Sequence, residues 1–169
     1  MQEITKQVGK GRTPSSVWVG GILSLLLAIT VACLVGSPVE AVHLLEASEL
    51  LPPLWLLGLL WFVWFFLLGA AVGSLLTCAS GGSHREALLW RGSTCLVLTA
   101  ALSLLWYALL IGRLSLWLSL LCLPIALCLS FFCAVSWWGL KKSASLIALG
   151  YGLWLLVLFF YQLSVALRT

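Results

Sequence analysis

Five long apolar runs constrain the fold of this chain more than any other feature of its sequence. Each is long enough to cross roughly 30 Å of hydrocarbon as a helix, which takes about 20 residues. The runs lack the alternation of apolar and polar residues that barrel strands show, so helices are favoured. The sequence therefore predicts an all-α integral membrane protein, a single bundle of five transmembrane helices. The predicted spans are about 17–35, 53–77, 88–111, 114–138 and 143–167.

The low content of charged residues excludes a water-soluble domain. Only 8% of the 169 residues are charged and 63% are hydrophobic, whereas soluble domains carry about a quarter charged residues. Residues 1–16 are polar and basic, and we expect them to form an N-terminal tail ahead of a transmembrane domain at 17–169. The first apolar run, at about 20 residues, is too long for the core of a typical signal peptide, so we expect it to be retained.

Basic residues lie mostly on one side of the predicted bundle. Seven basic residues precede the first span or follow the second and fourth spans, which puts them on one side of the membrane. The opposite side has two, Arg113 and Arg168. Because cytoplasmic loops carry the excess of lysine and arginine, this distribution predicts a cytoplasmic N-terminus and a C-terminus across the membrane. The rule assigns a side and no particular membrane. The seven residues are Lys6, Lys10, Arg12, Arg85, Arg91, Lys141 and Lys142.

Few side chains inside the runs can carry chemistry. The six cysteines form no CxxC pair and lie mostly in apolar runs, so we interpret them as small hydrophobic residues rather than metal or redox ligands. From residue 88 onward no charged residue lies mid-span apart from Arg113 at a turn, which argues against a proton-driven pump. No phosphate loop, metal cluster or nucleophile–base pair is present in the sequence. We expect no catalytic residue, no required cofactor and no nucleic-acid partner.

The stretch from Pro52 to Gly69 is an apolar helix that begins with two prolines and is crowded with aromatic residues. Gly58, Trp61, Phe65 and Gly69 follow one another at offsets of three, four and four, which places them on one helix face. Two glycines and two large rings on one face form a notch with aromatic walls. The notch is suited either to a ligand or to another helix.

Three further features concern how the spans pack and connect. Gly69 and Gly73 form a GxxxG pattern, which lets two helix backbones approach closely, either within the bundle or between subunits. Residues 39–51 form either a short amphipathic helix at the membrane surface or a plain loop, and residues 78–86 are predicted to be a flexible polar loop. Pro124 is predicted to kink the fourth span.

In these motifs the chain resembles the TspO/MBR family, the tryptophan-rich sensory or translocator proteins. The family pattern after the first loop is Pro-Pro-x-Trp-x-x-Gly-x-x-Trp-x-x-x-Tyr-x-x-x-Gly, and this chain follows it without gaps, with Phe65 in place of the tyrosine. Similar matches follow at 102–106 in the third span, at Trp137 and Trp138, and at 150–154 in the fifth span. The matched positions of the second span are Pro52, Pro53, Trp55, Gly58, Trp61 and Gly69.

The chain also departs from the family pattern at several positions. The C-terminal sterol-recognition pattern of the family is missing. We expect the departures to alter the identity and affinity of a ligand more than the fold. Ala41 and Val42 stand where the family has Trp-Tyr, Ser103 replaces an asparagine, Cys122 an acidic residue and Gly150 a proline.

The family-matching residues of the last three spans fall on one stripe of each helix. Together with the face of Gly58, Trp61 and Phe65, we predict that these stripes line one central cavity. Indole rings there would supply stacking area for a large, flat, mostly apolar ligand. The predicted ligand-binding residues are Pro53, Gly58, Trp61, Phe65, Ser103, Trp106, Cys122, Trp137, Tyr151 and Trp154.

The resemblance implies the ligands and the role to expect. It implies a membrane protein that binds, senses or translocates porphyrins, heme or other tetrapyrroles, or sterol-like lipids, and it suggests a homodimer in membrane lipid. One alternative, also implied by the resemblance, is a catalyst of porphyrin breakdown that uses the indoles of Trp61 and Trp154. Another is a structural or assembly subunit that grips a partner helix in the notch. Aromatic residues also serve packing and interfacial anchoring alone, as we expect for Trp18, Trp90 and Trp117.

Overall fold

The computed structural model describes residues 14–35, 54–76, 83–111 and 115–167, and this part of the chain forms five helices. All five are long and apolar enough to cross a membrane. The predicted class, an all-α membrane protein with five spanning helices, is therefore confirmed. The helices are α1 (Pro14–Val35), α2 (Leu54–Leu76), α3 (Ser83–Ile111), α4 (Leu116–Trp138) and α5 (Lys142–Ala166).

Two helices begin earlier than the sequence predicts. α1 starts at Pro14, inside the predicted tail, because proline suits the first turn of a helix, where its missing N–H has no partner to lose. α3 starts at Ser83, so the prediction of a flexible loop is wrong for residues 83–86. Glu86 lies in the first turn of α3, where the positive end of the helix dipole favours a carboxylate and helps this polar segment to be helical.

Some predictions fall on residues outside the described part of the chain. These include Pro53, the pair Ala41 and Val42, and the choice between helix and loop for residues 39–51. α4 remains helical through Pro124, and its kink stays a prediction.

The helices pack in an order that differs from their order in the chain. α1 packs against α2, α2 against α5, α5 against α4, and α4 against α3. The short connections from α3 to α4 and from α4 to α5 place helices that follow one another in the chain side by side. The backbone of α3 comes close to those of α1 and α2 at few positions, so the ring of five helices is nearly open between α3 and these two.

α1 and α2 approach each other closely at glycines. A Cβ atom on Gly20 would overlap the carbonyl oxygen of Gly69, and one on Gly69 would overlap the carbonyl oxygen of Gly20. A Cβ atom on Gly73 would in the same way overlap the backbone of Ser16. The GxxxG pattern of α2 therefore serves close packing against α1 within the chain.

α4 and α5 are joined by two hydrogen bonds from serine side chains to the backbone of the opposite helix. The Oγ atom of Ser130 donates to the carbonyl oxygen of Ala148 at 2.6 Å, and that of Ser145 donates to the carbonyl oxygen of Ala134 at 2.6 Å. Both serines are buried. Small polar side chains hold membrane helices together in this way, because hydrocarbon offers them few other partners.

α1 is the least buried of the five helices. Only 11% of the residues in its most apolar stretch are buried, against 39–44% in the corresponding stretches of the other four. Because α1 packs mainly against α2, most of its apolar surface is left to face the bilayer.

Candidate functional site

On the face of α2 that carries the predicted notch, Trp61 meets an aromatic ring from α3, whereas Gly69 packs against α1. The ring of Trp61 stacks on that of Tyr107, with the ring centroids 5.1 Å apart and the planes inclined by 27°. The ring of Phe65 lies 4.7 Å from that of Trp61 on the same helix. All three rings are buried, as is Gly58. Tyr107 was not assigned to the site from the sequence. The feature that could have indicated it is a tyrosine inside an otherwise apolar run.

Trp106 belongs to a buried hydrogen-bond group that joins three helices. Its Nε1 atom donates to the Oε1 atom of Gln162 at 2.6 Å. The Nε2 atom of Gln162 donates to the carbonyl oxygen of Leu116 at 3.1 Å and to the Oγ atom of Ser119. Gln162 is fully buried, and these bonds satisfy its amide, as burial of a polar group requires. The group therefore ties α3, α4 and α5 together at one end of the bundle.

Ser103 and Tyr151 form a second polar contact between α3 and α5. The hydroxyl of Tyr151 donates to the Oγ atom of Ser103 at 2.7 Å, and that Oγ atom donates to the carbonyl oxygen of Thr99 at 2.8 Å. On its other side the ring of Tyr151 lies 5.9 Å from the ring of Trp64. The predicted site residues Ser103 and Tyr151 therefore lie together, and their hydroxyl groups are hydrogen-bonded to each other.

The remaining predicted residues also lie in or beside the bundle interior. Trp137 is fully buried against Gly92, where a Cβ atom would overlap the indole. Cys122 is buried, with its Sγ atom 3.5 Å from the carbonyl oxygen of Leu118. Trp154 is half-buried. Neither the Nε1 atom of Trp137 nor that of Trp154 has a hydrogen-bond partner among the described residues.

Trp61 and Trp154, the two indoles named for the catalytic alternative, make no ring contact with each other in the described part of the chain. The ring partners of Trp61 there are Phe62, Phe65 and Tyr107. Trp154 is on α5, and no ring contact joins the two indoles. The geometry therefore offers no direct support for a pair of redox-active indoles, and the catalytic alternative stays a prediction.

A groove lies on another side of the molecule, between α1, α2 and α3. It has a volume of about 590 Å³ and occupies the place where α3 barely meets α1 and α2. Of the predicted site residues that the structure describes, Phe65 is the one that lines it. The other walls are aliphatic or small side chains, including Leu68, Val72, Leu96, Ala100 and Leu104.

The groove is almost free of polar groups and is open to the side. No charged residue is among its described lining. The Oγ atom of Ser24 donates to the carbonyl oxygen of Phe65 at 2.7 Å, whereas that of Ser16 is buried without a partner in the described part of the chain. Val19 and Val97 at the rim are 54% and 67% exposed. A ligand in this groove would contact the bilayer along its length.

The signal for the groove in the sequence is a small-residue repeat in the first span. Ser16, Gly20 and Ser24 recur every four residues and so share one face of α1. All three line the groove. Sequence reasoning could have found this face, but it could not have shown that α3 stands apart from it.

The described helices define a multi-pass integral membrane protein with an apolar groove open to lipid. The model of the TspO/MBR family matches residues 18–168, nearly the whole chain. This chain belongs to the TspO/MBR family. No curated protein and no solved structure matches it significantly.

Proposed function

We propose that this TspO/MBR protein binds a sterol-like lipid or a tetrapyrrole that it takes up from the bilayer, and that the groove between α1, α2 and α3 is the binding site. The groove itself carries the proposal. Its volume of about 590 Å³ falls within the range of roughly 300–1,000 Å³ typical of small-molecule sites. Its apolar walls suit a ligand that is soluble in lipid, and its open side lets such a ligand enter without crossing water.

The lining of the groove favours the sterol-like ligand over the tetrapyrrole. A tetrapyrrole such as protoporphyrin carries two carboxylates, and burying an unpaired carboxylate is costly. The described lining offers no cation to pair with them. A sterol carries one neutral hydroxyl, and the Oγ atom of Ser16, buried beside the groove without a partner in the described part of the chain, would bond with it after turning toward the groove.

The buried side chains of α2 to α5, including Trp61, Trp106 and Tyr107, form a tryptophan-rich interior directly behind the groove. Phe65 lines the groove on one side and lies 4.7 Å from the ring of Trp61 on the other. Trp61 in turn stacks on Tyr107 of α3. A ligand that displaces Phe65 would therefore disturb the stacked rings, which offers a physical route for sensing and makes the fluorescence of Trp61 a reporter of binding.

The test is a binding titration with a matched pair of variants. The purified chain in detergent micelles is titrated with a fluorescent sterol and, separately, with protoporphyrin. The double variant Val97→Phe with Ala101→Phe adds two rings to residues that line the groove. The control, Leu98→Phe with Leu105→Phe, adds two rings to the same helix at exposed residues outside the groove.

We expect the groove variant to bind the sterol at least about ten-fold more weakly, a loss of roughly 1.4 kcal/mol, and the control to bind it as the original chain does. Equal affinities of the two variants for the sterol would show that the groove is not the site. Tight protoporphyrin binding that both variants retain would assign that ligand to the tryptophan-rich interior.

A second candidate function follows from the exposure of α1. Only 11% of the residues in its most apolar stretch are buried, so much of its apolar surface is available to a partner helix or to a second copy of the chain. In that case the purified protein would be a dimer, or would be recovered with a partner. Light scattering of the chain in detergent measures the mass and separates this candidate from a ligand-binding monomer.

A further inference from the structure

Four basic residues lie together at one end of the bundle, and we name them the basic rim. They sit at the start of α3 and at the connection from α4 to α5. Glu86 is the one acidic residue in the described part of the chain. None of the four cations forms an ion pair with it or with any other described residue. The basic rim consists of Arg85, Arg91, Lys141 and Lys142.

A contact between α3 and α4 places these residues at one level. Gly92 of α3 packs against the indole of Trp137 near the end of α4. Arg91 precedes that glycine, and the backbone N–H of Lys141 donates to the carbonyl oxygen of Trp137 at 2.9 Å. Arg91 and Lys141 therefore lie close to the same height along the bundle. Arg85, six residues earlier on α3, lies about 9 Å further toward the helix start.

Two exposed tryptophans mark the height of the basic rim in the membrane. Trp90 and Trp138 are 65% and 54% exposed. Indole rings concentrate where the hydrocarbon meets the headgroups, so the adjacent cations lie at the height of the lipid phosphates. Below Trp138 on the same face of α4, Val135 and Phe131 are 75% and 39% exposed, which leaves an apolar track for an acyl chain.

We infer that the basic rim is a binding site for an anionic phospholipid, with the phosphate of the headgroup held by Arg91 and Lys141. A guanidinium binds phosphate through two parallel hydrogen bonds, and an ammonium adds a point charge. The acyl chains lie along α4 beneath Trp138. The site shares no residue with the groove, so it stands whether or not the groove binds a sterol. The excess of cations also sets topology, but topology alone requires no particular lipid at these positions.

The test compares two variants of the full chain with the same change in charge. Arg91→Gln with Lys141→Gln removes two charges from the basic rim, and Lys6→Gln with Lys10→Gln removes two from the N-terminal segment. Native mass spectrometry of each protein in detergent counts the molecules of phosphatidylglycerol and of phosphatidylcholine that it retains. Fluorescent-sterol binding and thermal unfolding of each variant check that it is folded.

We expect the original chain to retain phosphatidylglycerol in preference to phosphatidylcholine. Each charge removed from the basic rim should weaken phosphatidylglycerol binding roughly five-fold, while the control pair leaves it unchanged. Equal losses in both pairs, or equal retention of the two lipids, would overturn the inference. Displacement of the lipid by an acidic peptide at lower concentration would assign the rim to a protein partner, and displacement by inorganic phosphate alone would show that the acyl chains contribute nothing. Either result would refute a phospholipid site.

Discussion

The tryptophan-rich interior and the α1–α2–α3 groove are built in opposite ways from neighbouring helices. In the interior, large side chains from α2 to α5 pack against one another, as in the stack of Trp61 on Tyr107, and some form hydrogen bonds, as from Trp106 to Gln162. In the groove, the facing side chains are small or aliphatic, and they leave about 590 Å³ between three helices. Most of the residues that carry the family motifs therefore fill the interior. The open space lies where small residues line α1 and α2 and where α3 has few backbone contacts with them.

The largest expected effect comes from the backbone contact that holds α1 beside the groove. Gly20→Ala places a methyl group against the carbonyl oxygen of Gly69. Backbone cannot yield as a side chain does, so we expect a loss of about 3 kcal/mol or more in the free energy of unfolding, together with loss of sterol binding.

The matched control for this change is Gly139→Ala. No atom lies within 4 Å of a Cβ atom built there, so we expect stability within about 0.5 kcal/mol of the original chain. The melting temperature of each variant is measured in detergent, with unfolding detected by the labelling of cysteines that are buried in the folded chain. Equal melting temperatures would mean that α1 and α2 are not in backbone contact.

The next effect concerns the interior alone. Gln162→Leu leaves the Nε1 atom of Trp106 without its acceptor and removes the bond that the Oγ atom of Ser119 accepts, so we expect a loss of about 1–2 kcal/mol in the free energy of unfolding. Sterol affinity should stay the same, because Gln162 does not line the groove. Unfolding in a detergent titration gives the first quantity and the fluorescent sterol gives the second. A drop in sterol affinity without a drop in stability would show that the interior and the groove form one binding site.

A smaller effect is expected where one hydroxyl joins α3 to α5. Tyr151→Phe removes the bond from the tyrosine to Ser103 and keeps the ring against Trp64. We expect a loss of roughly 0.6 kcal/mol, the usual size for such bonds between membrane helices. Ser136→Ala, which removes an exposed hydroxyl bonded within its own helix turn, is the control and should be neutral in the same unfolding assay.

The smallest expected effect on stability comes from a substitution in the groove, which should change ligand affinity and leave the interior unchanged. Ser16→Ala removes a hydroxyl that has no partner in the described part of the chain, so stability should change by less than about 0.5 kcal/mol. If that hydroxyl binds the head of a sterol, the affinity for the sterol falls roughly five-fold, as the loss of one hydrogen bond predicts. A sterol derivative without its hydroxyl should bind the two proteins equally. A difference between them for that derivative would place the head of the ligand elsewhere.

The sequence predicted the interior better than it predicted the groove. Trp61, Phe65 and Trp106 are buried as their helical spacing suggests. Their partners were not predictable, since Trp106 and Gln162 are 56 residues apart in the chain and meet only through the packing of α3 on α4 and α5. The helical start of α3 at Ser83 was also missed, because a polar segment with serine and glycine before it is typical of a loop.

By itself the sequence determined that this chain is a membrane protein of five helices in the TspO/MBR family. Apolar length and motif spacing are properties of single segments, so they can be read one run at a time. Only the tertiary structure decided that Tyr107 stacks on Trp61 of α2, that the GxxxG pattern is used within the chain, and that the groove lies between α1, α2 and α3. Each of these depends on how closely two helices approach, and that distance is set by side chains on different segments acting together.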